Sequence, residues 1–248
     1  MIQFPSLEHC QTFINCQLDP DKLGPLSRQR VVRPAVTLSR QAGCGALMIA
    51  HKVALLLQAD QPQDEPPWTV FDRNLMEKVL EDHNLPARLA KFLPEDRANE
   101  LQDIADELFG LRPGSWRMIE QTSETILKLA ELGNVIIIGR GANVITRRLP
   151  QVVHVRLVAP LATRVEHCQA TYDMTPNAAR EFCQREDAGR QRYLKKYFQA
   201  ELDDPLLYHL TINTGIVSFD AAAQLIADTV RKSMVTGAKG SLAEAVTG

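Results

Sequence analysis

Residues whose backbone could hold a phosphate come early in the chain, in a loop that contains Gly43 and Gly45. An apolar run over residues 35–38 precedes the loop, and apolar residues then recur at helical spacing as far as Leu57. A helix N-terminus offers unpaired N–H groups and a partial positive charge, and glycine lets the backbone approach an anion closely. The stretch therefore predicts a strand, a glycine turn and a helix that suit a phosphate. An ordinary strand–turn–helix without a ligand is the alternative.

The loop differs from a complete Walker motif at three positions. In register on Gly45, Arg40 stands where the first glycine would be, and Ala46 and Leu47 stand where the lysine and the hydroxyl residue would be. Positive charge for a phosphate must therefore come from elsewhere. Cys44 lies at the helix N-terminus, where a thiolate would be stabilised, although filling a serine-sized space is the favoured interpretation.

A second glycine turn follows a second apolar run. Residues 135–138 are four consecutive β-forming apolar residues, which is typical of a strand buried on both faces of a parallel sheet. Gly139 ends this strand, so that Arg140 projects at the carboxyl edge of the sheet. An arginine there could bind a phosphate bidentately. A salt bridge to a neighbouring carboxylate is the alternative.

Asp72 and Arg73 follow a short β-forming run over residues 68–71. In open parallel sheets ligands bind beyond the carboxyl ends of the strands, so both residues are candidates for substrate binding. Asp72 could equally be the N-cap of the helix that follows.

The densest basic cluster of the chain lies on a predicted helix that begins at Thr175 and Pro176. Its charged residues recur at helical intervals, although Gly189 could interrupt the helix, and a solvated face is the ordinary interpretation. Arginines gathered beside phosphate loops are also what phosphoryl transfer needs. The charged candidates in the cluster are Arg185, Asp187, Arg190, Arg192, Lys195 and Lys196.

Composition limits the class of protein. The chain has 248 residues, 45% of them hydrophobic, and a net charge of −2, which gives no indication of a nucleic-acid partner or an anionic membrane. No apolar run approaches the roughly 18 residues of a membrane helix, and the N-terminus does not resemble a secretory signal. The five scattered cysteines suit free thiols in a reducing cytoplasm. We expect a cytoplasmic protein, and the oligomeric state is left open.

Alternating strand and helix patterns predict an α/β fold with a doubly wound, five-stranded parallel sheet. We expect an N-terminal extension over residues 1–34, a helical insertion near 73–132 and a flexible tail over 233–248. The last strand is predicted within residues 206–214, and the final helix is predicted to end near Val230. His154 and Arg156 alternate with apolar residues and are predicted to lie on a less buried face or near an edge of the sheet.

These stretches together resemble the cytidylate-kinase-like family, a branch of the P-loop nucleoside monophosphate kinases, over roughly residues 35–231. No single motif is decisive, whereas their order and spacing are fairly specific. The matching motifs are Thr37-Leu38-Ser39-Arg40 with Gly43-Cys44-Gly45, Phe71-Asp72-Arg73, Ile138-Gly139-Arg140-Gly141, Arg185-Glu186-Asp187 with Arg190, and Asp203-Asp204-Pro205 with Tyr208 and Ile212-Asn213-Thr214.

The resemblance implies a nucleotide-binding core over 35–232, with a helical acceptor-binding region and a basic lid near 183–200. It implies that ATP and Mg²⁺ are used, and that the substrates are small nucleotides. No metal ligand is assigned. The implied catalytic residues are Arg40, Arg140, Arg185, Asp187, Arg190 and Arg192. The implied ATP-binding residues are Arg40, Gly43, Cys44, Gly45 and Ala46, and the implied acceptor-binding residues are Asp72, Arg73 and Arg140.

The activity that the resemblance implies is transfer of the γ-phosphoryl group of ATP to CMP or a similar small phosphorylated acceptor. Cytidylate kinases proper carry lysine and threonine where this chain has Ala46 and Leu47, and an aspartate where it has Gly141. The alternative is therefore a catalytically weakened nucleotide-binding protein that kept the fold for a regulatory or partner-binding role.

Overall fold

Five parallel strands form one sheet in the computed structural model, which describes residues 32–62, 65–72 and 117–244. The strands are β1 (Ala35–Arg40), β2 (Thr69–Phe71), β3 (Val135–Ile138), β4 (Val152–Val158) and β5 (Leu210–Asn213). Their order across the sheet is β2–β3–β1–β4–β5, and every neighbouring pair is parallel. The predicted five-stranded parallel sheet is confirmed.

Both faces of the sheet are buried. Val135 and Ile137 of β3 pack into one hydrophobic cluster, whereas Ile136 and Ile138 pack into another on the opposite face. A strand covered on both sides needs apolar residues at every position rather than at every second one. This explains why β3 is a continuous apolar run in the sequence.

Helices flank the sheet on its faces and beyond its carboxyl edge. They are α1 (Ala46–Gln58), α2 (Arg117–Leu132), α3 (Ala142–Ile145), α4 (Leu161–Tyr172), α5 (Pro176–Phe198) and α6 (Phe219–Glu244). Helices α1 and α6 pack on one face through Ile49, Val53 and Ile226. Helix α2 packs on the other face through Ile126 and Leu127. The α/β architecture is therefore doubly wound, as predicted. None of the helices in the described ranges is long and apolar enough to span a membrane.

Helix α5 begins where the sequence predicts. The hydroxyl oxygen of Thr175 accepts a hydrogen bond from Ala178 N at 3.4 Å, and Pro176 occupies the first helical position. The helix continues without a break through Gly189 to Phe198. The basic cluster therefore lies on one continuous helix.

The ends of the predicted elements differ in two places. Strand β5 is shorter than the predicted 206–214 because Pro205–Leu207 form a 3₁₀ turn, capped by the Asp204 carboxylate, which accepts from Leu206 N at 2.9 Å. Helix α6 continues to Glu244, so the final helix does not end near Val230 and extends into the predicted tail. Residues 1–31 of the predicted extension and 73–116 of the predicted insertion lie outside the described residues.

His154 and Arg156 are buried, so the prediction of a less buried face was wrong, whereas the alternative of a position near an edge fits β4, which lies next to the edge strand β5. Strand β4 is an interior strand flanked by β1 and β5, and the two side chains are 7% and 3% exposed. His154 Nδ1 is 2.7 Å from Thr37 Oγ1. Arg156 donates to Ser39 Oγ at 3.1 Å and to Asp203 Oδ1 at 2.5 Å. These partners make burial of the polar groups tolerable.

The burial of His154 predicts acid sensitivity. Desolvation, and next the nearby His209, lower the pKa of His154 from 6.5 to about 4. Between these values the unfolded chain binds a proton that the folded protein excludes, so the free energy of unfolding falls as the pH is lowered from 6.5 to 4, by up to about 3 kcal/mol. Chemical denaturation across this range measures the slope. His154→Gln should flatten it, and an unchanged slope in this variant would contradict the assignment.

Candidate functional site

The first glycine turn is held tightly by the protein on one side. Gly43 and Gly45 have φ angles of +83° and +74°, which side chains rarely adopt. A Cβ at Gly43 would lie 2.6 Å from the carbonyl oxygen of Arg164, and one at Gly45 would overlap the ring of Phe219. Both positions therefore require glycine for packing against α4 and α6.

The other side of this turn opens into a cavity of about 480 Å³, hereafter the larger cavity. The first N–H groups of α1 have no carbonyl one turn earlier, so the helix N-terminus offers donors at this turn. Further residues that line the larger cavity are Gln41, Ala42, Gly43, Cys44, Gly45, Ala46, Leu47, Met48, His51, Asp72, Ile138, His167, Thr171, Tyr172 and Phe182.

Cys44 contributes its backbone, rather than a reactive thiol, to the first glycine turn. Its side chain is buried, and burial raises the pKa of the thiol to about 11. A neutral thiol at neutral pH is a poor nucleophile. The interpretation that Cys44 fills space in the turn agrees with this environment.

Asp187 joins α5 to the glycine turn. Its Oδ1 accepts a hydrogen bond from Ala42 N at 2.7 Å, and its Oδ2 accepts from Arg164 Nη1 at 2.7 Å. Arg164 also donates to the carbonyl oxygens of Ala42, at 3.1 Å, and Ala159, at 2.9 Å. The charged pair of Arg164 on α4 and Asp187 on α5 therefore holds the turn by hydrogen bonds to the backbone N–H and carbonyl of Ala42.

The structure differs from the sequence-based assignment of site residues at Asp187 and adds Arg164, which the sequence analysis did not select. Asp187 lines neither cavity, so it positions the turn rather than facing a ligand. Arg164 escaped the sequence reasoning because an arginine on an amphipathic helix carries no local signal of burial, and only the packing of α4 against the turn makes it a partner. Asp187 also accepts from Arg190 Nη1 at 3.1 Å, and Glu186 accepts from Arg190 Nη2 at 3.3 Å.

The second glycine turn follows β3 and has three successive residues in the left-handed region. Gly139, Arg140 and Gly141 have φ angles of +81°, +58° and +72°. A Cβ at Gly139 would overlap the guanidinium of Arg40, so the glycine makes room for the arginine. Arg140, a non-glycine residue in this region, carries backbone strain of the kind that clusters at functional sites.

Beside this turn lies a cavity of about 320 Å³, hereafter the smaller cavity, between the ends of β1 and β3 and helix α5. The cationic residues on its lining are Arg40, Arg140, Arg185 and Arg190. Arg185 also lies 5.9 Å from the centre of the Phe182 ring. The other residues that line the smaller cavity are Ser39, Ile138, Gly139, Gly141, Asn143, Glu186, Gly189, Tyr193, Leu194 and Leu202.

Arg40 lies where the two cavities meet. It lines both of them, as does Arg190. Burial, and next the positive charges of Arg190 and Arg140, lower the pKa of Arg40 to about 10. The guanidinium therefore remains protonated at neutral pH, held beside two other cations. Cations gathered in this way favour an anionic ligand.

The structure brings together most, but not all, of the candidate residues. Arg192 is exposed and lines neither cavity. Asp72 lines the larger cavity with the first glycine turn, rather than the smaller cavity with Arg140. Arg73 lies outside the described residues. Ala46 and Leu47 line the larger cavity and place no cation or hydroxyl there.

A parallel sheet with a glycine turn after its first strand, and arginines beyond its carboxyl edge, is an α/β arrangement suited to phosphate groups beyond the carboxyl ends of the strands. The sequence model of the cytidylate kinase-like family matches residues 35–216. The chain therefore belongs to the cytidylate kinase-like family, which supports a role of the nucleotide-kinase type.

Individual relatives are distant. The chain is 34% identical over 79 residues to a cytidylate kinase of Halobacterium salinarum, covering 32% of this chain and 41% of the relative. It is 27% identical over 113 residues to a uronate isomerase of Corynebacterium glutamicum, covering 46% of this chain and 22% of the relative. The matches thus span less than half the length of either curated relative.

Among solved structures, an uncharacterized protein from Eubacterium ventriosum superposes with a TM-score of 0.55. The two chains are 16% identical, and the superposition covers 80% of this chain and 99% of the other. At this identity the likeness shows the fold alone.

The tight packing of the first turn predicts opposite effects of alanine at two glycines. Gly43→Ala should lower the free energy of unfolding by about 1–3 kcal/mol, because it forces a positive φ and a close approach to the Arg164 carbonyl. Gly189→Ala is the control: apart from its chain neighbours and its own helix backbone, no atom of the described residues lies within 4 Å of a Cβ placed there, and the substitution should raise stability by about 0.5–1 kcal/mol. Urea denaturation measures both. A neutral Gly43→Ala would mean that the turn is not held as described.

The contacts of Asp187 predict a cost for removing its charge. Asp187→Asn should lower the free energy of unfolding by about 2 kcal/mol, because Arg164, whose side chain is 8% exposed, loses its charged partner. Glu201→Gln is the matched control on an exposed pair with Lys195, and it should change stability by at most about 0.5 kcal/mol. Equal effects of the two substitutions in thermal or urea unfolding would argue against a structural role of the Asp187 pair.

Proposed function

We propose that this protein transfers the γ-phosphoryl group of ATP to a small phosphorylated acceptor, of which CMP is the nucleotide that the family name suggests. The single observation that carries the proposal is the position of Arg40. Its protonated guanidinium lines both cavities, so a phosphoryl group passing from one to the other would pass beside it.

The larger cavity suits the donor. Its phosphates would lie on the glycine turn at the N-terminus of α1, where backbone N–H groups take the place of side-chain donors. The smaller cavity suits the acceptor phosphate through Arg140 and Arg185. Arg190 lines both cavities and is held by Asp187 and Glu186, so α5 supplies a fixed cation at the junction. Such positioning and charge stabilisation account for most of the catalysis of phosphoryl transfer.

Magnesium would be held chiefly by the phosphates of the donor. Within the described ranges no group of three or more His, Cys, Asp or Glu side chains could hold a metal ion, and Asp72 is the one carboxylate among the described lining of the larger cavity. Mg²⁺ is commonly bound by one or two carboxylates together with substrate phosphates. The residues present therefore fit a metal–nucleotide complex, in which the ion would neutralise phosphate charge.

The missing lysine supports a second candidate function. Ala46 and Leu47 leave the glycine turn without the lysine and the hydroxyl that usually contact the donor phosphates and magnesium. A protein that binds nucleotide without turnover, as a regulatory or partner-binding module, would keep the turn and need neither side chain. The cations at the junction of the cavities favour the enzyme, because the charge of a transferring phosphoryl group needs stabilisation at that point.

Turnover with Arg40 variants tests the enzyme. ATP consumption should be stimulated by at least one member of a panel of nucleoside monophosphates and other small phosphorylated compounds. Arg40→Ala should reduce the transfer rate by about 10³-fold, since an arginine that stabilises the transferring group is worth at least that much. Arg180→Ala, an exposed arginine of the same helix as Arg190, is the control and should leave the rate unchanged.

Binding measurements separate the two candidates. ATP binding without turnover on any acceptor of the panel would favour the nucleotide-binding module over the enzyme. If ATP neither binds nor is turned over, both candidate functions are contradicted. A rate unaffected by Arg40→Ala would show that the transfer does not pass beside this residue.

A further inference from the structure

We propose that His167 is a positioning residue of the donor site, which orients the peptide between Gly43 and Cys44 so that its N–H faces the larger cavity. The inference rests on the proposed function, because it concerns the glycine turn on which the donor phosphates would lie. It assigns the direction in which the turn presents its N–H groups to side chains on the opposite side of the backbone.

His167 holds the carbonyl of Gly43. It lies half-buried on α4, on the lining of the larger cavity, and its Nδ1 is 2.9 Å from Gly43 O. Because a carbonyl oxygen only accepts, Nδ1 must carry the imidazole proton of this hydrogen bond. Thr171 Oγ1 is 3.4 Å from Nε2, and the Phe219 ring lies edge-on with the two centroids 5.4 Å apart. These two contacts restrict the ring, so the donor that faces Gly43 O is fixed in place.

The carbonyls on either side of Gly43 are also held by side chains. Arg164 of α4 donates to Ala42 O at 3.1 Å. The hydroxyl of Thr214, directly after β5, lies 3.3 Å from Cys44 O and can donate to it. Three successive carbonyls of the turn are thus met by protein donors from α4 and from the end of β5.

Trans peptide geometry converts these contacts into a direction for the N–H groups. The peptide bonds of the turn are trans, so the C=O of one residue and the N–H of the next point in opposite directions. Holding the carbonyls of residues 42–44 therefore directs the N–H groups of residues 43–45 to the other side of the backbone. Residues 42–46 line the larger cavity, where successive N–H groups suit a phosphate oxygen.

The peptide that His167 holds is the one most in need of a fixed orientation. Gly43, at a φ of +83°, has no side chain to limit rotation of the peptide that follows it. Rotation of this peptide would replace the N–H of Cys44 by the carbonyl oxygen of Gly43, which repels an anion. The hydrogen bond from His167 Nδ1 opposes the rotation, so the imidazole acts on the phosphate through the backbone.

Substitutions of His167 separate this role from packing. His167→Asn keeps a nitrogen donor bonded to Cγ, as Nδ1 is, whereas His167→Leu removes the donor. Isothermal titration of the full chain with a non-hydrolysable ATP analogue measures the affinity of the donor site. His167→Leu should weaken binding about tenfold, the loss expected for one hydrogen bond, and His167→Asn should stay within about threefold of the unmodified protein.

The acceptor and another residue of α4 are the controls. His167 does not line the smaller cavity, so in the coupled assay His167→Leu should raise the KM for ATP and leave the KM for the acceptor unchanged. Gln169→Leu also removes an amide donor from α4, at a half-buried position outside the lining of both cavities. It should change neither KM.

The unmodified protein tests the direction of the N–H groups even if His167→Leu does not fold. Addition of the ATP analogue should move the amide proton resonances of Gly43, Cys44 and Gly45 downfield in ¹H–¹⁵N spectra, because a hydrogen bond to a phosphate oxygen deshields an amide proton. Resonances that stay in place while the analogue binds would overturn the inference.

Two further results would overturn it and leave the proposed kinase standing: an unchanged affinity in His167→Leu, or equal weakening by the leucine and asparagine substitutions. Weakening by leucine with rescue by asparagine, but without turnover on any acceptor, would remove the kinase and keep the role of His167. If the unmodified protein does not bind the analogue, both the proposed function and this inference are contradicted.

Discussion

The site depends on the charged contact between helix α5 and the first glycine turn. Asp187 accepts from Ala42 N and is paired with Arg164, which in turn donates to the carbonyl of Ala42. One residue of the turn thus has both of its backbone polar groups held by side chains from two helices. Because Asp187 also holds Arg190, the contact that shapes the turn sets the position of a cation at the junction of the cavities. Shape and charge at the site are therefore coupled through a single carboxylate.

The second constraint is the collection of cations that this arrangement brings together. Arg40, Arg140 and Arg190 lie close enough that the latter two, after burial, lower the pKa of Arg40. Repulsion among them is a cost to the folded protein, and an anion that enters either cavity relieves it. Gly139 permits this geometry because its missing side chain leaves room for the Arg40 guanidinium. The turn has Ala46 where a Walker motif has lysine, and Arg40 at the end of β1 places a cation beside the turn instead.

Much of the fold was predictable because its signals are local. Strand β3, the two glycine turns and the start of α5 at Thr175 each follow from a short pattern of apolar spacing, glycine or capping residues. The predictions were wrong where contacts between residues far apart in the sequence determine the burial of a side chain. Residues 152–158 were predicted to form a buried strand with His154 and Arg156 on a less buried face or near an edge, yet both side chains are buried because β5 adds to the sheet beside them and Thr37, Ser39 and Asp203 supply partners. Arg164 had no signal at all, since its partners lie in the glycine turn and on α5.

The sequence by itself determined the parallel sheet, the turns after β1 and β3, and the set of arginines from which an anion site could be built. These features depend on residues that are near neighbours in the chain, and the backbone conformation of a glycine turn is a local property. Only the tertiary structure decided which arginines share a cavity, that Asp187 binds the turn instead of a ligand, and that Arg192 lines neither cavity. Those outcomes depend on how α4 and α5 pack against the sheet edge, because groups far apart in the chain, such as Ala42 N and the Asp187 carboxylate, meet only when the chain has folded.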